Sequence, residues 1–206
     1  MKIVNTPSHA IINLAILGRK QHTHLNISIA IGAILPDIPA FVFYLVSKFI
    51  YHLPEPQIWR ETYFEPFWQN IFDTFHSFPL ILICLAVATY CGWDKIKIFC
   101  YSMLLHSSFD LPVHTSDAHR HFFPLSDYRF SGPISYWNPN EYGLIAALVE
   151  LLLVIVATFY IYRLVRSRFG KVLLILINLI YIGGYFSFML TVHPLDSFFN
   201  CSGKPS

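Results

Sequence analysis

Charge is what this sequence is short of: Asp, Glu, Lys and Arg make up 13% of its 206 residues, where a soluble domain carries roughly 25%. So few polar side chains cannot cover a water-facing surface unless lipid covers part of it. The formal net charge is only +2, and the charges sit in short clusters, which excludes the basic footprint of a nucleic-acid binder. Cysteine is scarce as well. Cys84, Cys91, Cys100 and Cys201 show neither CxxC nor Cys/His zinc spacing, so no disulfide framework follows, and the first three read as small buried hydrophobes. The N-terminal segment also lacks the apolar region and small-x-small cleavage site of a signal peptide, so insertion is expected to rest on the apolar segments themselves. Internal repeats and low-complexity tracts are absent too.

What the chain has in abundance is apolar surface, with 55% hydrophobic and 17% aromatic residues and a mean hydropathy of +0.51. A helix needs about 20 apolar residues to cross a bilayer. Tyr142 to Tyr162 carries one charge, Glu150, and Val172 to Val192 carries none. Leu25 to Ser47 carries only Asp37, and Pro36 and Pro39 must break or kink it. The expectation is an all-α polytopic membrane bundle. It would form one domain, 1–206, with a core over 6–130, a helical hairpin over 141–192, and six membrane helices near 5–18, 25–51, 71–92, 96–111, 141–164 and 172–192. The short loops at Arg19–Lys20, Lys95–Lys97 and Arg163–Lys171 hold eight of the fourteen Lys and Arg. The positive-inside rule then makes that side cytoplasmic and turns the two long loops, 52–70 and 112–140, the other way.

Ten histidines are many for this length, and their placement matters more than their number. In a six-span arrangement His9, His76 with Asp73, His106 with Asp110, and Asp37 converge on the half of the membrane opposite the basic loops. His106 and Asp110 are spaced i,i+4, so both face one side of a helix. Both can then bind one metal, or Asp110 can orient His106. His9 and Asn13 repeat that spacing. A carboxylate at the depth of Asp37 costs about 2.5–3.5 kcal/mol and calls for a cationic partner. The same half offers imidazoles but few Lys or Arg. These residues, His9, Asp37, His76, His106 and Asp110, are therefore read as a metal site whose N and O donors suit zinc, manganese or iron better than calcium.

The segment 106–130 holds the densest chemistry. Asp117, His119 and His121 alternate, so an extended backbone projects them to one side. Arg120, Asp127 and Arg129 add charges that bind a phosphate or hold the loop in place. His22, His24, His52 and His193 read as capping or interfacial residues. Glu150 reads equally as a helix-to-helix hydrogen bond or a catalytic group, and Asn178 as a bond across helices.

Five elements in order resemble the membrane-bound metal-dependent hydrolases, also labelled LexA-binding inner-membrane-associated hydrolases. They are Thr6-Pro-Ser-His9, Gly32-Ala-Ile-Leu-Pro-Asp37, Phe75-His76-Ser77, His106-Ser-Ser-Phe-Asp110 and Phe123-Pro-Leu-Ser-Asp-Tyr-Arg-Phe130. Two positions depart from the family pattern: Pro39 replaces a second Asp, and Ile71 replaces a His. Either the site binds fewer metals or the 114–121 cluster supplies substitutes. The resemblance implies a helical, metal-dependent enzyme of the bacterial inner membrane, with a divalent metal, zinc foremost; the basic loops turn its site away from the cytoplasm.

The leading expectation is hydrolysis of a phosphoester or lipid-linked substrate. Asp117 or His119 would serve as general acid or base, and Arg120 or Arg129 would bind an anionic group. The alternatives are an ion or small-solute transporter using Asp37 and Glu150, and a non-catalytic membrane partner that holds metal structurally. The expected partners are the bilayer and its lipids, not nucleic acid.

Overall fold

A computed structural model of the chain describes residues 6–136 and 138–192. His193, Cys201 and the C-terminal tail lie outside these. The described residues are all-helical, with no strand. The elements in order are α1 (Thr6–Leu17), α2 (Asn26–Ile34), α3 (Ile38–Leu45), α4 (Glu55–Arg60), α5 (Pro66–His76), α6 (Phe78–Tyr90), α7 (Asp94–Asp110), α8 (Gly143–Ile161) and α9 (Arg168–Val192).

Prolines set the breaks. Pro36 has no N–H to give to the preceding turn, and the chain tightens into a 3-10 turn over Leu35–Asp37 between α2 and α3. From Lys20 to Ile50 the helical path nevertheless runs for 31 residues. The sequence pattern placed one helix over 71–92. The chain instead forms α5 and α6, bent by 42° at Ser77, whose hydroxyl caps α6 by accepting from Leu80 N at 3.2 Å. Pro79 sits in the first turn of α6, where a missing N–H is tolerated.

Three helices among the described residues are long and apolar enough to cross a membrane: Lys20–Ile50, Gly143–Ile161 and Arg168–Val192. The bent pair α5–α6 makes a fourth if counted as one span. The expected count of six is therefore not supported by length and composition. Helix α1 has 12 residues, and α7 has 17, with Asp94, Lys95, Lys97, His106 and Asp110 among them. Polar residues that build a site reduce the apolar length that would define a span. Helix α9 leaves Val172, Leu176, Leu179, Ile180 and Phe186 more than half or about half exposed, a surface suited to lipid rather than water.

Packing runs from α9 to α8 to α1, then to α2, α7 and α6, with α1 also touching α7. Ile11, Val154, Ala157, Ile161, Leu164 and Leu174 join α1 to the C-terminal hairpin. Phe43, Ile58, Tyr63 and Phe72 form an aromatic cluster under α4 and α5 with Trp59 and Trp68. Buried polar side chains pin the central helices: Asn13 Nδ2 donates to Ser102 O at 2.8 Å, and Ser102 Oγ donates to Ile29 O at 2.7 Å. Asn13 thus faces α7 at Ser102, one helical turn before His106. Gly32 allows α2 and α7 to touch, because a Cβ there would lie 2.4 Å from Phe99 O and 2.9 Å from Ser102 Cβ.

Candidate metal centre

Four of the five expected ligands, Asp37, His76, His106 and Asp110, each place one donor atom within 4.8 Å of all the others. They come from the 3-10 turn after α2, the end of α5, and the last two turns of α7. Asp110 is the hub. Its Oδ2 lies 2.9 Å from His106 Nε2 and 3.5 Å from His76 Nε2, and its Oδ1 lies 3.0 Å from His9 Nε2. Asp37 Oδ1 lies 3.6 Å from His106 Nε2. His9 therefore meets the group through the other oxygen of Asp110, with its ring 4.0 Å from that of His106.

The backbone fixes which nitrogen each imidazole presents. His76 Nδ1 is 2.8 Å from Phe72 O, in the preceding turn of α5. His106 Nδ1 is 2.8 Å from Ala33 O, in the turn that Pro36 interrupts. A carbonyl only accepts, so Nδ1 carries the hydrogen and Nε2 is left with its lone pair. Both Nε2 atoms are buried and turned towards the carboxylate oxygens of Asp110 and Asp37. Asp37 is oriented in turn by Thr6, whose hydroxyl donates to Oδ2 and leaves Oδ1 towards His106.

These donors fit a divalent cation. No Lys or Arg pairs with Asp37 or Asp110 among the described residues. Two carboxylates and two imidazoles that turn Nε2 towards them are a donor set suited to zinc, manganese or iron. Bonds of about 2.0–2.1 Å in a tetrahedron imply ligand-to-ligand edges of about 3.3 Å. Three of the six donor separations, 2.9, 3.5 and 3.6 Å, lie near that edge, and all six lie within 4.8 Å.

Around this group lies a second layer built on Asp73, fully buried in α5. Arg120 donates to Asp73 from its backbone N at 2.9 Å and from Nε at 2.5 Å. Arg129 NH2 donates to the same carboxylate at 3.2 Å, and NH1 donates to Ala118 O at 2.5 Å. Arg120 also reaches Asp127 at 2.6 Å and Asn70 at 2.5 Å, so each of its three nitrogens donates to the protein. Both arginines, expected on sequence to bind an anionic group or hold the loop, are engaged in holding it. Phe78 N, which donates to His121 O at 2.8 Å, and Ser77 Oγ, which donates to Phe123 O, fasten the same loop to the α5–α6 bend.

Asp117, His119 and His121 do not form one row. Asp117 pairs with His114 at 3.2 Å. His119 stacks on His76 at 3.9 Å with its Nδ1 3.6 Å from Asp73, and His121 stacks on Phe78 at 5.2 Å. Burial, helped by the neighbouring His76, pulls His119 down to about 3 and His121 to about 4. Burial opposes charge on His114 too. The hydrogen bond to Asp117 and the nearby carboxylates outweigh it, and His114 is held above its ordinary value.

Thr6 and Asp73 were the functional residues hardest to assign from sequence. Thr6 carried a signal in Thr6-Pro-Ser-His9; Asp73 was placed with His76, but no local signal names its partners Arg120 and Arg129, some fifty residues away. Comparison of the chain with protein-family models, with curated proteins and with solved structures gives no match.

Proposed function

We propose that the chain is a membrane-embedded metal-dependent hydrolase. The observation that carries this reading is the convergence of Asp37, His76, His106 and Asp110 on one buried point, with both imidazoles held so that Nε2 faces inward. Asp37, His76, His106 and Asp110 hold the cation, zinc foremost, and His9 steadies Asp110 from its other oxygen. When bound, such a cation activates water near neutral pH and polarises a scissile bond.

The surrounding residues suit acid–base work. His119 is neutral at pH 7, with its Nδ1 3.6 Å from Asp73 and its ring stacked on His76. His114, paired with Asp117, is biased towards its protonated form, and the two rings lie 5.5 Å apart. Neighbouring groups whose environments push their pKa values apart are the arrangement that paired acid and base steps require. Arg129 keeps a third of its side chain exposed and is the better placed of the two arginines to meet an anionic substrate. We place the centre on the side of the membrane opposite the basic loops, away from the cytoplasm of a bacterial inner membrane. The substrate is then a phosphoester or lipid-linked molecule reached from the interface. The remaining two expected spans, α1 and α7, complete a six-helix arrangement in this reading.

A panel of phosphomonoesters, phosphodiesters and lipid esters, offered to the detergent-purified chain, tests the proposal. Hydrolysis that chelation abolishes, zinc restores and His106→Ala lacks is the expected result. Ion flux in liposomes without hydrolysis would instead indicate transport, and tightly held metal with neither activity would indicate a structural partner.

A further inference from the structure

Glu150 is 7% exposed in the middle of α8, an otherwise apolar helix. A carboxyl at such a place is expensive and marks a function or a specific partner. Its partners are Ser8 in the first turn of α1 and Tyr181 in α9, which both hydrogen-bond to it. Ser8 N in turn donates to Tyr181 Oη at 3.1 Å. The other carboxyl oxygen, Oε1, makes no hydrogen bond, so the polar contacts of Glu150 all go to α1 and α9.

The first turn of any helix leaves N–H groups without an internal acceptor, and lipid offers no water to satisfy them. Pro7 has no N–H, and Ser8 has its own taken up by Tyr181. The hairpin α8–α9 thus caps α1 from outside, at the turn that also bears the site's contacts. Thr6, two residues before Ser8, donates to Asp37, and His9, one residue after it, meets Asp110 at 3.0 Å. One residue of slip along α1 is about 1.5 Å of rise and about 100° of rotation, enough to take both away from their partners.

We infer that Glu150 and Tyr181 are positioning residues for the metal centre: through Ser8 they fix the first turn of α1, and so hold Thr6 on Asp37 and His9 on Asp110. The inference rests on the metal-binding reading of Asp37, His76, His106 and Asp110. It gives the C-terminal hairpin a role in the site beyond anchoring the chain in lipid.

The test is cobalt(II) binding to the full chain in nanodiscs, read by its d–d absorption, with the wild type and five variants. Glu150→Leu keeps the packing volume and removes the acceptor. Its cobalt affinity should fall by about tenfold or more, the loss typical when an outer-shell partner of a metal ligand goes, and the band shape should change. Glu150→Gln keeps an acceptor for Ser8 and Tyr181 and should bind within about threefold of wild type. Tyr181→Phe removes the cap on Ser8 N, should weaken binding as Glu150→Leu does, and stands in for it if that variant does not fold. Asn178→Leu breaks the α8–α9 hydrogen bond to Thr158 without touching α1, and should leave affinity and spectrum unchanged. His106→Ala separates the two claims. If it abolishes binding while Glu150→Leu and Tyr181→Phe bind as wild type, the positioning role is wrong and the metal centre stands. If His106→Ala itself binds as wild type, the metal centre is wrong and the positioning role falls with it.

Discussion

Replacing Asp73 by Ala should release the long loop over the metal centre. The side chain is fully buried, with Arg120 14% and Arg129 35% exposed beside it. Removing one partner of a buried ion pair costs about 3–5 kcal/mol, because the other charge and its donors are left unpaired. Arg120 retains Asp127 and Asn70, so the lower end, about 3 kcal/mol, is the expected loss for Asp73→Ala. Arg129→Ala removes a partner that is a third solvated and still leaves Asp73 its bonds from Arg120, and should cost about 1 kcal/mol or less. Asp73→Asn keeps an acceptor for Arg120 N and should fall between them. Equilibrium unfolding in bicelles, followed by tryptophan fluorescence, gives the three values. Trypsin cleavage after Arg120 and Arg129 reports the loop separately and should be fast only in the Asp73 variants. Equal, small losses for Asp73→Ala and Arg129→Ala, with the loop still protected, would refute the clamp.

Two further outcomes follow from the packing and the histidines. Gly32→Ala places a Cβ against Phe99 O and Ser102 Cβ, so α2 and α7 must separate; unfolding should show a loss of about 1–3 kcal/mol, and metal affinity should fall because His106 moves away from Asp37 and Ala33 O. His119 and His121 are held at about 3 and about 4, below the ordinary 6.5. As pH drops from about 6.5 towards 4 the unfolded chain takes up protons that the folded chain refuses, so stability falls across that window. His114, raised, works in the opposite sense: its contribution is fully present below 6.5 and is lost as pH rises through its folded value. Metal-free His121→Gln should therefore lose less stability than wild type between pH 7 and pH 5, measured as the shift in unfolding midpoint; an unchanged acid limb would contradict the burial of a neutral imidazole there.

The convergence of Asp37, His76, His106 and Asp110 was legible because such chemistry is costly in lipid. Asp37 in a proline-broken helix, and His106 and Asp110 four residues apart on one face, are hard to explain in apolar runs unless they meet. The helical class was legible for the same reason, since α8 and α9 are long and almost free of charge. The number of spans was not. Ser77 and Pro79 split one apolar run into two helices, and the polar groups of α7 carry it below the length and apolarity of a span. Nor were the partners of Asp73 legible, because only the fold brings Arg120 and Arg129 to it. The row expected from Asp117, His119 and His121 failed on the turns at 115–117 and 121–125, which send the three side chains to different partners. Glu150 was ambiguous alone, and contact with Ser8 is what gives it a direction.

A cation shared by Asp37, His76, His106 and Asp110 underlies every role proposed for the surrounding residues. Elemental analysis of the detergent-purified chain, beside a His106→Ala/Asp110→Ala variant prepared and zinc-loaded identically, measures it directly. Stoichiometric metal is expected in the wild type and none above background in the folded double variant. Equal metal in both, or none in a zinc-loaded wild type, would contradict a shared cation.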